Sequence, residues 1–253
     1  MGLFDKKYCD VCKAKIGLLG NRKLEDGNLC KNCAKDLSPW FSERRKSTVD
    51  QIKQQLSYRE ENKEAVAEFR VSRTLGMHTK ILLDENAGKL IVTSANKWQE
   101  ENPDVIDFSQ ITGAMMDVDE RKDEIMREGN DGQKESYSPK RYEYRYDFNV
   151  IIHVNSPWFD EIKFKVNRSS IEIIPQSGIW MQTGPPEKTP EYRQYESMAQ
   201  EMVDYLNNIQ SKQRESYEAA NAPRQAVTCP FCGATTMADA SGRCEYCGGA
   251  LRG

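Results

Sequence analysis

The sequence is short of histidine and of long apolar runs, and its middle has no cysteine; each scarcity excludes something. Only two histidines, His78 and His153, occur among 253 residues. The first falls in an expected loop and the second on the polar face of an expected strand, where each reads as a plain surface or structural residue. No G-x-S-x-G, G-x-x-x-x-G-K-[ST] or G-x-G-x-x-G pattern is present, so nucleophile-elbow, P-loop and dinucleotide-binding chemistry have no motif to rest on. No run approaches the ~18 apolar residues that a helical membrane span requires. The opening "MGLFDKKYCD" has its apolar residues before its charges, with no apolar stretch after them and no Ser or Thr where a myristoylation signal needs one. The expectation is a cytoplasmic, non-enzymatic protein.

Hydrophobic residues make up 38% and charged residues 30% of the chain, a balance that suits several small units better than one large core. The net charge of −3 creates no field able to gather nucleic acid or an anionic membrane, so such binding would need a local patch. Residues 1–46 form one: Lys6, Lys7, Lys13, Lys15, Arg22, Lys23, Lys31, Lys35, Arg44, Arg45 and Lys46 stand against six acidic residues.

What is abundant is cysteine at both ends. All eight cysteines fall into four C-x-x-C pairs. Cys9 and Cys12 precede Cys30 and Cys33 by 17 intervening residues, and Cys229 and Cys232 precede Cys244 and Cys247 by 11. Two residues between thiolates let both reach one tetrahedral ion, and the loop between pairs brings two such knuckles together. The expected ligand sets are therefore Cys9, Cys12, Cys30, Cys33 and Cys229, Cys232, Cys244, Cys247, each holding one structural zinc. Four cysteines close the coordination shell, which excludes a catalytic zinc. Disulfides and a redox C-x-x-C are the competing readings; they need an oxidising compartment or a single motif at a helix start. Glycine follows the second cysteine of both rear knuckles, at Gly233 and Gly248, whereas Lys13 and Ala34 occupy that position at the front.

Between the ends, Thr48 with Gln51 and Ser57 with Glu60 read as capping boxes for one or two short helices over 48–68, with Val49, Ile52 and Leu56 on one face. The period then changes to two. "TKILLDENAGKLIVTS" predicts a hairpin turning at Asn86–Gly88, and "VIDFSQITGAMMDV" a longer strand. In "YEYRYDFNVIIHV", Tyr142, Tyr144, Tyr146, Phe148, Val150, Ile152 and Val154 face one way and Glu143, Arg145, Asp147, Asn149 and His153 the other. Strands follow at "EIKFKVN" and "IEII". Residues 119–141 read as a solvated hairpin tip or a disordered insertion, the tip being preferred. Thr189 caps a final helix whose apolar stripe is Tyr195, Met198, Met202, Tyr205, Leu206 and Ile209. Seven strands in hairpin order and one covering helix predict an α+β fold: a bent antiparallel sheet or open barrel closed at one end by the helix.

The opening "MGLFDKKYCDVCKAKIG…LCKNCAKDLSPWF" resembles the start of an uncharacterised bacterial family, common in Firmicutes, whose N-terminal four-cysteine domain has no assigned function. By element order, residues 66–210 look like a pleckstrin-homology-like barrel, and the end is similar to the zinc ribbon appended to many bacterial proteins. The resemblance implies a zinc-binding scaffold or adaptor with a protein partner or a membrane-associated assembly as its target. Pleckstrin-like barrels that bind lipid carry basic residues in the first hairpin loop, and here that loop offers only Arg73, His78 and Lys80. The expected organisation is a four-cysteine lobe at 1–46, connecting helices at 47–68, the barrel and its helix at 69–210, a linker at 211–227 and the rear ribbon at 228–253. The alternative is nucleic-acid binding through the basic N-terminal lobe.

Overall fold

The computed structural model describes residues 6–129, 132–174, 187–221, 226–239 and 241–251. Two short hairpins open the chain: β1 (Lys7–Tyr8) with β2 (Lys15–Ile16), and β3 (Arg22–Lys23) with β4 (Asn28–Leu29). The five-residue α1 (Lys31–Lys35) and a single 20-residue helix, α2 (Val49–Glu68), follow. The capping box at α2 forms as expected, with Gln51 N–H donating to the Thr48 hydroxyl and Thr48 N–H to the Gln51 side chain. No second helix starts at Ser57; its hydroxyl donates to Glu61 inside the continuous helix.

The first four-stranded sheet runs β5 (Arg73–Leu75), β6 (Lys80–Asp84), β7 (Lys89–Thr93), β8 (Val105–Asp107), all antiparallel, with the β6–β7 turn on Gly88 at φ +66°. The "VIDFSQITG" stretch, expected as part of one strand, breaks after β8. Asp107 N–H donates to the Gln110 side chain across a 3-10 turn at Phe108–Gln110, and this box carries the chain into a second sheet. There β9 (Ile111–Glu128) pairs along most of its length with β10 (Lys134–Val154), whose other edge takes β11 (Glu161–Lys165) and β12 (Ile171–Ile173). Pairing of Glu128 with Lys134 makes 119–141 the arm of a hairpin; the residues between 129 and 132 lie outside the described set. The helix α3 (Pro190–Asn221), β13 (Val227–Thr228) and β14 (Thr235–Thr236) complete the order. Residues 211–221, expected to begin a linker, continue α3.

The fold is thus mixed α and β with antiparallel sheets, but the expected barrel does not close. Among the described residues the first sheet ends at β5 and β8, and no ladder joins it to the second. Burial explains both sequence patterns. The runs "ILL" and "LIV" lack alternation because the first sheet is covered on both faces. Ile81, Leu83, Leu90 and Val92 enter the main core with Phe148, Val150 and Ile152 of β10 and Met202 and Leu206 of α3. Leu82 and Ile91 pack on Val66, Phe69 and Trp98 at the far end of α2. The second sheet alternates because one face meets the core. Asp147 and Asn149 depart from this pattern: both are buried on the side expected to be solvated. Lys165 and Arg121 pair with Asp147, and Asn149 donates to Asp119. The amide of Asn167 fills the gap between β11 and β12 along β10, accepting from Phe148 N–H at 2.8 Å and donating to the Tyr146 carbonyl at 3.1 Å.

Residues Met1–Gln210 and Ser211–Gly253 form two compact units. Within the first, α2 is locked to the loop before β8. Arg59 and Asp104, both nearly fully buried, pair at 2.8 Å, and Asp104 also accepts from Ser38 and Tyr58. Asn62 donates to Asn102 and to the Pro103 carbonyl and accepts from Val105 N–H. Burial pushes the Asp104 carboxyl up, and the Arg59 guanidinium opposes that push. No helix among the described residues is long and apolar enough to cross a membrane.

Candidate metal centres

Both expected cysteine sets come together. The sulfurs of Cys9, Cys12, Cys30 and Cys33 lie within 4.8 Å of one another, as do those of Cys229, Cys232, Cys244 and Cys247. Four sulfurs bound at about 2.3 Å to one tetrahedral ion stand about 3.8 Å apart. At the front, Cys9 with Cys33 is 4.0 Å and Cys12 with Cys30 is 3.7 Å. At the rear, Cys229 with Cys247 is 3.5 Å and Cys232 with Cys244 is 3.8 Å. All are far beyond the disulfide length of about 2.05 Å.

Local structure shows why these residues converge. In a knuckle the N–H of the residue after the second cysteine donates to the carbonyl of the first. Lys13 to Cys9 does so at 2.8 Å, Gly233 to Cys229 at 2.9 Å and Gly248 to Cys244 at 2.8 Å. Closing that turn requires a left-handed backbone, and the φ values are +61°, +74° and +69° respectively. Glycine adopts this conformation without steric cost, whereas a lysine is strained there. Lys13 offsets part of the strain by donating from Nζ to the Asp10 carbonyl at 2.7 Å. The fourth knuckle escapes the requirement. Cys30 is the N-cap of α1, its sulfur accepts from Cys33 N–H, and Ala34 N–H donates to the Cys30 carbonyl as the first helical bond. The two non-glycine positions therefore have two different solutions.

N–H groups aimed at sulfur favour thiolate. Burial works against ionisation of Cys9, but the backbone amides of Cys12, Cys30 and Val11 outweigh it and bring the thiol down to about 7. The amides of Cys232 and Phe231 overcome the same opposition at Cys229, again to about 7. The last protons are held tightly. Burial pushes Cys33 well up, with Cys12 and Cys30 adding to it. At Cys247 the Gly249 amide works downward, but the neighbouring sulfurs prevail and the thiol reaches about 12. Such a set ionises fully only around a cation, and an all-thiolate tetrahedron suits zinc. The two clusters are consistent with two structural zinc ions. Bound there, zinc supplies folding energy to segments with little core of their own.

The front centre sits in the first unit. Asp26 accepts from Val49 N–H at 2.7 Å, and Glu25 N–H donates to the Ser47 carbonyl at 3.0 Å, tying the β3–β4 turn to the start of α2. A Cβ at Gly27 would stand 2.6 Å from Val49 and 2.7 Å from Asp10, so glycine is needed for that approach. The rear centre belongs to the second unit, whose small core is Cys229, Cys244 and Leu251 with Val227 and Ala238. Phe231 and Tyr246, each inside a C-x-x-C, are 71% and 74% exposed.

The histidines do not meet. His153 is exposed opposite Glu161 of β11. His78 lines a cleft of about 520 Å³ with Lys80, Lys165 and Arg168. The last two were not legible as partners, because they follow from the second sheet's position beside the first hairpin loop. Asp117 and Asp119, on β9, are engaged by Lys163 and Asn149.

No curated protein and no solved structure matches the chain. Residues 7–55, which contain the four front cysteines and the first turns of α2, match the family described as "Domain of unknown function (DUF4428)".

Proposed function

We propose that the protein is a non-enzymatic, zinc-stapled adaptor whose rear ribbon docks a protein partner. The observation that carries this reading is the pair of aromatic rings displayed by the rear knuckles. Phe231 and Tyr246 are large, apolar and mostly exposed on a unit whose own core is very small. Exposed aromatics on a rigid turn are efficient interface anchors, because little side-chain entropy is lost on binding. Phe231 leans over Gly249, where a Cβ would stand 2.5 Å from its ring, so the ring is already positioned. Closed four-thiolate shells leave no open coordination position for chemistry.

Residues 69–210 are taken as a pleckstrin-homology-like body. In support, two antiparallel sheets are followed by one helix that lays Tyr192, Tyr195, Met202 and Leu206 into the core. The domain limits 1–46, 47–68, 69–210, 211–227 and 228–253 belong to the same proposal, as does a cytoplasmic setting, which keeps thiols reduced for zinc.

The test compares photo-crosslinked partners of the wild type with those of a Phe231→Ser, Tyr246→Ser variant, with two zinc ions per chain as the check of folding. A partner lost only with the rings supports the reading. An unchanged set of crosslinked proteins removes it.

A further inference from the structure

The front lobe carries a feature that zinc binding does not explain. Gly20 N–H donates to the Gly17 carbonyl at 3.0 Å, closing a tight turn whose two central residues are Leu18 and Leu19. They are 97% and 92% exposed, the most exposed large apolar side chains among the described residues. A turn of this kind normally carries polar residues, and two adjacent leucines without packing partners contribute nothing to the fold.

Beside the turn lies a cleft of about 580 Å³ lined by Asn21, Arg22, Lys23, Leu24, Glu25, Arg44 and Arg45. Arg22 Nη1 donates to the Leu19 carbonyl at 3.3 Å, and Arg44 Nη1 to the Lys23 carbonyl at 3.0 Å, so Arg22 is tied to the leucine turn and Arg44 to the β3 strand beside it. None of the four cations has an ion pair with a described carboxylate. Of the nearby acids, Asp10 and Asp26 accept backbone N–H groups and Glu43 pairs with Lys46, which leaves the Glu25 carboxylate as the one acid on the cleft wall against four cations. Burial and the charges of Arg45 and Arg22 lower the Arg44 pKa, a repulsion that a bound anion would relieve.

We propose that the Leu18–Leu19 turn and the Arg22, Lys23, Arg44, Arg45 cleft form a membrane-docking tip. The leucines enter the acyl region of an anionic bilayer, and the cleft holds the headgroup phosphates. Apolar insertion and cationic contact are the two contributions that peripheral attachment combines. Nucleic acid would use the cations but has no use for the leucines, and no aromatic residue lines the cleft for base stacking. The inference concerns the front lobe alone and stands independently of the rear ribbon's partner.

The test is sedimentation of the full, zinc-loaded chain with phosphatidylcholine vesicles, with and without phosphatidylserine, alongside a single-stranded RNA probe. The wild type should bind the phosphatidylserine vesicles, release in high salt and ignore the neutral ones. Leu18→Ser with Leu19→Ser should weaken binding about tenfold or more, and Arg44→Gln with Arg45→Gln about tenfold. Zinc content and melting temperature should stay at the wild-type values. The Phe231→Ser, Tyr246→Ser variant should still bind, which separates this idea from the docking role of the ribbon. Wild-type binding that ignores phosphatidylserine, a leucine variant that binds as well as the wild type, or RNA binding in place of vesicle binding would each overturn the proposal.

Discussion

The front and rear zinc centres use the same ligands at the same short spacing, yet they are supported in opposite ways. The rear ribbon closes its knuckles with two left-handed glycines and has almost no core beyond its own cysteines. The front centre has neither glycine. It holds Lys13 in a left-handed turn, converts the other knuckle into a helix cap, and is anchored through α2 to the first sheet by the buried Arg59–Asp104 pair. A small domain can be stabilised from within by ideal turns or from outside by a neighbour. Here one chain does each once.

The largest expected effects come from removing the metal. Cys9→Ser should lower zinc from two ions to one per chain and also lower the melting temperature of the 1–210 unit, since the anchored lobe is part of it. Cys229→Ser should remove one zinc as well, with the main melting transition unchanged. Equal effects on that transition, read by calorimetry with metal analysis, would break the contrast.

Next is the anchor itself. Arg59→Ala leaves Asp104 buried without its cation, and breaking such a pair costs about 3–5 kcal/mol. Chemical denaturation should show that loss in the 1–210 unit while the rear centre keeps its zinc.

Smaller shifts should follow from the knuckle residues. Lys13→Gly should stabilise the front lobe by about 1 kcal/mol, because it relieves a strained left-handed residue, and Gly233→Ala or Gly248→Ala should destabilise the ribbon by about the same amount, because each introduces one. Competition with a chromophoric chelator would report each site separately.

The smallest effect is acid sensitivity. Backbone N–H groups of Ala87 and Arg70 hold Asp84, buried at the β6–β7 turn, below the usual carboxylate range. A depressed carboxylate contributes stability above its unfolded pKa of about 3.9 and loses it as pH falls through the folded value. Asp84→Asn should therefore flatten the fall in urea midpoint of the 1–210 unit below about pH 4. Asp239, held low by the amide of Arg243 and by Ser241, gives the matching variant in the ribbon.

The zinc ligands were legible because C-x-x-C spacing encodes a geometry that no other part of the chain needs to supply. The β10 strand was legible for the same reason: alternation reports one buried face directly. The break at Asp107–Gln110 was not, since "DFSQ" inside an apolar run reads as strand until its side chain caps a turn. The anchoring face of α2 was hidden more deeply. Gln55, Arg59 and Asn62 lie between Ile52 and Val66 on one buried stripe, but polar residues at core spacing look solvated until the fold is in place; Arg59 and Asn62 meet partners 40 residues and more along the chain, and Gln55 is buried with no hydrogen-bond partner for its amide. The extension of α3 past 210 was missed because a polar, alanine-rich stretch suits a helix and a linker equally. Exposure of Leu18 and Leu19 could not be read either, as nothing in "GLLG" distinguishes a packed turn from a bare one.

The Arg59–Asp104 anchor has a further consequence for how the front metal is acquired. During synthesis the four front cysteines and all of α2 emerge before Asp104 and Asn102 exist to receive Arg59 and Asn62. Until then Arg59 and Asn62 face water and α2 lacks the loop that fixes it from that side, so part of the ion's binding energy is consumed in ordering the lobe and the helix. Once the first sheet is complete that burden disappears, and by linkage the same thiolates grip the ion more tightly. Metal affinity at the N-terminus thus reports on completion of a sheet made later, and a chain truncated before residue 102 would hold its front ion loosely however intact its cysteines.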